Sequence, residues 1–525
     1  MQYFGACVTM SLTPIIEKLK NAPRSGNQPM PVELSKNETL QIYPKSIHQI
    51  DGAYFFIARR NEKKYLFISR ARDSRTAFSQ FEGKELPAVS TLSCCPLHHQ
   101  NAAALREFFD FTRPVLIGLE NSFGLGDRLG LANPAHLRAI ADTPWRAILA
   151  QQSIRELERT ERTADEVMDA ATWAVFQEDY QKGFGADADH VKITEHIDRM
   201  MQAGFTFFTL DPSAYVVNEA AKLPDEELSN RLNSLPWNIL ADSQEGMRSR
   251  YDGKTFRLAN DFEIHPTADE IRRALVKYGA VIAHTVTLYR HLENKYRSRP
   301  YEVELSVDET DSPTTPFEHF LVANELKRLG VKLVSLAPRF VGDFEKGIDF
   351  KGDLVLFQKE YVKHVKIAEA LGPYKISIHS GSDKFSVYQE IGALRAGRVH
   401  VKTAGTSYLE ALRTIAAKDP ELFGEILDFA RRRYDIDKAT YHVSAQLDQV
   451  PAAQDCAVED FLRLFDDTNA RQVLHVTFGS VLTHKDITLK PVLKNRILQT
   501  LKKHEEAHYE NLVRHFRRHI EPFLK

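Results

Sequence analysis

The chain has 525 residues, 43% hydrophobic and 27% charged, with a formal net charge of −2, which suits a globular enzyme of one large domain with additions or of several domains. That balance gives no electrostatic reason to expect nucleic acid or an anionic membrane as partner, and no run reaches the ~18 apolar residues of a spanning helix. MQYFGACVTMSLTPIIEKLK lacks a basic stretch followed by a long apolar core, and the four cysteines (Cys7, Cys94, Cys95, Cys456) form no CxxC, so the expectation is a cytoplasmic protein with reduced thiols.

Residues 1–105 read as a small α+β N-terminal extension, in which AYFFIA (53–58) and KYLFIS (64–69) flank RRNEKK as a hairpin. Residues 106–525 carry eight short apolar runs with polar or ionisable ends. They are PVLIGLE (114–120), FTFFTLD (205–211), YEVELSVDE (301–309), VKLVSLAPR (331–339), YKISIHS (374–380), RVHVKTA (398–404), ATYHVSA (439–445) and QVLHVTFGS (472–480). Helix-length stretches separate them. The pattern predicts an α/β (β/α)8 barrel of the TIM type, with its chemistry at the strand ends. Long helical insertions are expected after strands 1 and 2. One helix starts near Asn133-Pro134, another is ADEVMDAATWAVFQEDY (164–180), and a third is the long stretch 268–296. Residues 489–520 read as the closing helix.

Strand side chains alternate between faces. YEVELSVDE then sends Glu302, Glu304, Ser306 and Asp308 into the lumen, and KISIHS sends Lys375, Ser377 and His379. TYHVSA adds Thr440, His442 and Ser444. The same parity turns Glu120, Asp211, Lys402 and His475 inward, with Arg339 just past its strand. Unpaired charges in a lumen cost several kcal/mol each, by order of magnitude. Histidines and carboxylates on separate strands near one face suit a divalent metal with open positions.

Three other motifs need weighing. GLGDRLG (124–130) imitates a dinucleotide fingerprint, but its spacing is GxGxxxG and the helix starts only near Pro134, so nicotinamide binding is not expected. Asp127 and Arg128 could reach over the mouth from this loop, and a solvated turn is an equal alternative. HEEAH (504–508) matches a zinc-protease pattern within a Lys- and Glu-rich helix and reads as a solvated face. HSGSDK (379–384), AGTSY (404–408) and FGS (478–480) are turns of the kind that bind phosphate or carboxylate.

Several long phrases resemble the bacterial tagaturonate epimerase family, which interconverts tagaturonate and fructuronate in hexuronate catabolism. They are GLENSFGLGDRLG, GFGADADHVKITEHI, FTLDPS, EVELSVDETDSPTTPFEH, ISIHSGSDKFS, HVKTAGTSYLEAL and TYHVSAQ, spread over most of residues 114–480. The resemblance implies a divalent metal and a hexulosonate substrate. The two hexulosonates differ at a hydroxyl carbon β to the ketone, which simple enolisation does not invert. Retro-aldol cleavage and re-addition would need a Lewis acid and a base; transient oxidation would need a nicotinamide.

On that footing Glu304, His379 and His442 are expected to hold the cation (Mn, Fe, Zn, Ni or Co). Asp211, Glu120 or Asp308 would serve as acid and base, and Lys402 would stabilise oxyanion charge. Arg128, Arg339 and the Ser380-Gly381 turn would grip the substrate carboxylate, with Asp127 and His475 beside them. The expected partner is a small hexulosonate or ketose, with a homo-oligomer left open. A metal-dependent sugar aldolase or ketose isomerase is the alternative enzyme, and a non-catalytic sugar-acid sensor the alternative of another class.

Overall fold

The computed structural model describes residues 13–22, 26–35, 38–69, 79–86, 89–403, 405–486 and 492–524. Cys7, Ala404 of the AGTSY turn and residues 489–491 lie outside them. Seven strands between Met30 and Pro96 form an antiparallel sheet. Within it Ala53–Arg60 pairs with Lys63–Ser69, from Tyr54↔Ser69 to Arg60↔Lys63. Asn61 and Glu62 take φ of +47° and +65°, the left-handed pair that a two-residue turn between twisted strands requires. One face of the sheet has a core around Phe56 and Phe67. The other packs Phe55, Ile57 and Leu66 against Phe176 of the helix Ala164–Glu178.

Eight parallel strands close the expected barrel: β1 (Ser122–Gly124), β2 (Arg146–Ser153), β3 (Gly185–Val191), β4 (Phe207–Leu210), β5 (Glu302–Val307), β6 (Ser335–Pro338), β7 (Lys375–Ile378) and β8 (Val399–Lys402). His400↔Ser122 and Lys402↔Gly124 register β8 against β1. The main core lies between this ring and its helices. The long stretch 211–301 after β4 includes the helix Ala268–Tyr296, opened by a capping box between Thr267 and Glu270.

Five of the eight apolar runs supply barrel strands; three do not. PVLIGLE leads into β1 underneath the barrel, where the N–H groups of Ile117 and Gly118 bond to Glu302 at the foot of β5 (3.0 and 2.7 Å). The missing strands are β1, β2 and β3, so the stretch after PVLIGLE is barrel rather than insertion. RAILAQQS and GADADHV were overlooked because their apolar residues are few or small. ATYHVSA is an extended segment leaning on a helical core, and QVLHVTFGS falls in the helices Thr468–Val476 and Phe478–Thr483.

That helical core follows β8 and runs from Tyr408 to Leu501. The C-terminal stretch breaks at His504 into Val492–Lys503 and Glu505–Ile520. HEEAH is consequently not a solvated face: Glu505 and His508 are buried, and Glu505 binds Lys64 (2.5 Å) and Tyr43 (2.8 Å) of the N-terminal sheet. Among the described residues no helix is long and apolar enough to cross a membrane.

Candidate active site at the barrel mouth

Alternation along β3 turns Asp187 and Asp189 inward. The β3–β4 register then slips between Ala188 and Val191, and His190 takes φ +53°. This bulge brings His190 to the mouth beside Asp189, so two successive residues serve one site. Glu304 and Ser306 project from β5 and Asp308 lies just beyond it. His379 follows β7, and Lys402 ends β8.

The Lys402 ammonium sits among three carboxylates, 2.8 Å from Asp187, 2.8 Å from Asp189 and 2.9 Å from Glu304, and donates to Thr209 Oγ1 at 2.5 Å. Burial opposes its charge, but the three carboxylates hold its pKa well above the usual lysine value. Burial raises Asp187 to about 7. For Asp189 the cost of burial is outweighed by His190 and Lys402, which hold it near 2.

Each histidine gives one ring nitrogen to a buried carboxylate. His190 Nδ1 lies 2.9 Å from Asp211, and His379 Nε2 lies 2.7 Å from Glu304, with its Nδ1 3.2 Å from Asp308. Burial would push both histidines down, but Asp189 and Asp211 lift His190 to about 10, and Asp308 and Glu304 lift His379 to about 9. His190, Asp308 and His379 can present ligand atoms within 4.8 Å of one another. Two histidines forced to hold protons by surplus carboxylate are what a field built for a cation produces, and the N,N,O donors suit a first-row divalent metal. The carboxylate behind each ring matches the support that metal-binding histidines receive.

Above this cluster opens a narrow cleft of about 50 Å³. Its rim is cationic, with Arg128, Arg155 and Lys346 joined by Tyr441 and His475. Arg128 gives Nε and Nη2 to Glu156 Oε1 (2.9 and 2.8 Å) and lies 3.6 Å from the Phe478 ring centroid. Among the described residues its buried Nη1 has no hydrogen-bond partner. Lys346 donates to Ser380 Oγ at 2.6 Å. Gly381 lies under that turn, its N–H bonded to the Lys402 carbonyl (3.0 Å). His475 reaches the cleft from the helix Thr468–Val476, and a Cβ on Gly405 would lie 2.0 Å from its ring. Burial keeps His475 well below the usual histidine value and neutral.

Glu304, Asp308, His379, Lys402, Arg128, Ser380 and His475 thus come together, with Asp211 behind His190. Four expected site residues stand elsewhere. Glu120 precedes β1, at the foot of the barrel, and pairs with Arg146 at 2.8 Å. Asp127 spends its carboxylate on the N–H groups of Leu129, Gly130, Ala132 and Asn133 (2.7–3.3 Å). It thereby fills the N–H groups that a dinucleotide phosphate would need. Arg339 and His442 both approach Asp343 (3.7 and 3.3 Å), and the His442 side chain is 67% exposed. His442 misses the lumen because TYHVSA is not a strand. Sequence reasoning missed Asp187, Asp189, His190, Arg155 and Lys346. The alternating Asp-x-Asp of GADADHV was the available signal; His190 breaks strand parity and gave none.

Another buried trio, Asp383, His515 and His519, also has metal-like spacing. There Arg471 already pairs with Asp383, and His519 Nε2 accepts the Asp383 N–H (3.0 Å), so the cation's place is taken.

The family described as tagaturonate epimerase matches residues 43–523. A tagaturonate/fructuronate epimerase of Thermotoga maritima is 42% identical over 481 residues, 92% of this chain and 96% of its own. The native structure of the fructuronate-tagaturonate epimerase of Cohnella laeviribosi, 35% identical, superposes with a TM-score of 0.86 over 97% of this chain and 99% of its own. Its complex with one glycerol matches with the same values.

Proposed function

The chain belongs to the tagaturonate epimerase family, and we propose that it is an isomerase interconverting tagaturonate and fructuronate in hexuronate catabolism, by breaking and re-forming one carbon–carbon bond. The 42% identity across 92% of the chain carries the activity. The charges at the barrel mouth support the chemistry.

Inversion at a carbon β to a ketone needs more than enolisation, because the C–H there is not activated. The nicotinamide route finds little support, since Asp127 occupies the N–H groups of the glycine loop. In the retro-aldol route Asp189, which lines the cleft and is held ionised by His190 and Lys402, takes the proton of the β-hydroxyl. The bond between the α and β carbons breaks. Its electron pair passes to the ketone-bearing fragment as an enediolate, and the β carbon becomes an aldehyde. Lys402 steadies the developing oxyanion charge. The aldehyde turns, the same pair re-forms the bond on its other face, and Asp189 returns the proton.

His190, Asp308 and His379 would hold a divalent cation, with Asp211 and Glu304 orienting the two rings. When bound, such a cation supplies Lewis-acid polarisation of the ketone. Arg128, whose Nη1 is left without a hydrogen-bond partner among the described residues, and Lys346 both line the cleft and would receive the substrate carboxylate by charge-assisted hydrogen bonds.

The test incubates purified protein with tagaturonate and follows fructuronate by NMR, alongside Arg128→Ala. The variant should raise KM at least about tenfold, the scale of one lost charged hydrogen bond. Failure of the wild-type protein to form fructuronate would sink the proposed activity. An unchanged KM in Arg128→Ala would remove Arg128 from the carboxylate site.

A further inference from the structure

After the 3-10 turn Lys438–Thr440, residues 441–446 alternate in exposure like a strand but pair with none among the described residues. Tyr441 is extended, with φ −125° and ψ 144°. Tyr441, Val443 and Ala445 lean on the helical core, while His442 and Ser444 face solvent.

The two ends of the segment are fastened to different parts of the barrel. At one end Arg159, in the helix that follows β2, donates to the Tyr441 hydroxyl and to Thr440 Oγ1 (2.7 Å). At the other, the loop after β6 holds Ser444. Glu345 accepts from its N–H (2.9 Å) and its hydroxyl (2.7 Å), and Lys351 donates to that hydroxyl (2.6 Å). In the closed ring β2 and β6 are four strands apart, so they face each other across its diameter. The segment therefore ties these two sides of the barrel together as a strap beside the cleft. Tyr441 forms part of the cleft wall, its ring centroid 4.8 Å from the Arg159 guanidinium and 5.6 Å from that of Arg155.

We propose that this strap, with Tyr441 as its wall, decides between epimerisation and cleavage by keeping both three-carbon fragments in the cleft until the bond re-forms. The inference rests on the retro-aldol reading above. In that route the fragments share no covalent bond between cleavage and re-addition. Nothing is consumed or gained: the hydroxyl proton and the electron pair that leave in the first half return in the second. One fragment is the enediolate of dihydroxyacetone, the other an aldehyde bearing the carboxylate. The rim cations hold the carboxylate; the enediolate fragment, which has no carboxylate, has only the walls, Lys402 and the metal-site cluster to retain it. Closure that excludes water and holds intermediates is a recognised demand on such sites.

The experiment compares metal-loaded wild type, Tyr441→Phe, Tyr441→Ala and Arg159→Ala on tagaturonate. It measures fructuronate by NMR, dihydroxyacetone by its enzymatic reduction, and the aldehyde by hydrazine trapping, with thermal midpoint and bound metal checked for each. Tyr441→Ala and Arg159→Ala should release fragments in a fraction of turnovers at least about tenfold above wild type, the scale expected when closure is breached. Tyr441→Phe keeps the ring and should release far less than Tyr441→Ala. If one alanine variant fails to fold, the other carries the test, because Arg159 lies outside the strap. Folded variants that lose fructuronate formation without releasing fragments overturn the strap's role. Epimerising wild-type protein whose folded Tyr441→Ala and Arg159→Ala variants neither release fragments nor assemble hexulosonate from dihydroxyacetone and the aldehyde overturns the carbon–carbon route, and the strap's role with it. Wild-type protein that does not epimerise overturns the proposed function itself.

Discussion

His190 and His379 each stand between a buried carboxylate and the open mouth, with Asp308 beside them. Alanine at His190, Asp308 or His379 should therefore remove bound metal and epimerase activity together, as read by elemental analysis and turnover. Asp211→Asn and Glu304→Gln, one step further out, should weaken metal binding by about 10–100-fold. His442→Ala should leave the metal in place, and metal loss there would restore His442 as a ligand. Lys402 makes a separate prediction. Removing one partner of a buried ion pair costs about 3–5 kcal/mol, so Lys402→Met should lower the unfolding midpoint, and adding Asp187→Asn should recover part of the loss. No recovery would mean the three carboxylates do not depend on this lysine. Glu304, Asp308, His379 and Lys402 were legible in the sequence because strand parity holds for them. His190 was not, because a bulge moves it to the face that parity denies it.

At the scale of elements, the sequence was ambiguous wherever a period of two had more than one physical use. TYHVSA alternates because one edge leans on a helical core and the other meets water, which an unpaired strap satisfies as well as a strand. QVLHVTFGS is rich in β-branched residues, yet Asp467 caps it as a helix by accepting the Ala470 N–H (2.7 Å). GADADHV lacks bulky apolar residues because its inward side carries the chemistry. The helix 268–296 was legible to the residue, because Thr267 and Glu270 form a capping box. The junction between the N-terminal sheet and the final helix makes its own prediction. Burial opposes the Glu505 charge, but Lys64, by charge and hydrogen bond, with Tyr509 and Tyr43, holds its pKa down from 4.5 to about 2. A depressed folded value means the stabilisation is complete above about pH 4.5 and is lost as pH falls towards 2, a swing of about 3 kcal/mol. The stability gap between wild type and Glu505→Gln, measured by denaturant unfolding, should narrow across that range. A gap independent of pH would contradict the assignment.

For the whole molecule, the closed barrel gathers charges from β3, β5, β7 and β8 at one end. The chain after β8 reaches that end, the strap contributing Tyr441 and the helix Thr468–Val476 contributing His475 to the cleft. The barrel class followed from the recurrence of polar-ended strands. Its first three strands did not, because they carry too little apolar bulk to stand out and β1 has only three residues. The helices after β8 were misread for the opposite reason, their apolar runs being strong enough to pass for strands. The family resemblance reached the activity, while the proposed cation site required the fold to bring His190 beside His379. The most direct test follows tagaturonate by NMR with the purified protein as isolated, after complete chelation, and after return of a single divalent metal. Fructuronate should form, cease to form on chelation and form again on reloading. Unchanged conversion by fully metal-free protein would contradict the account.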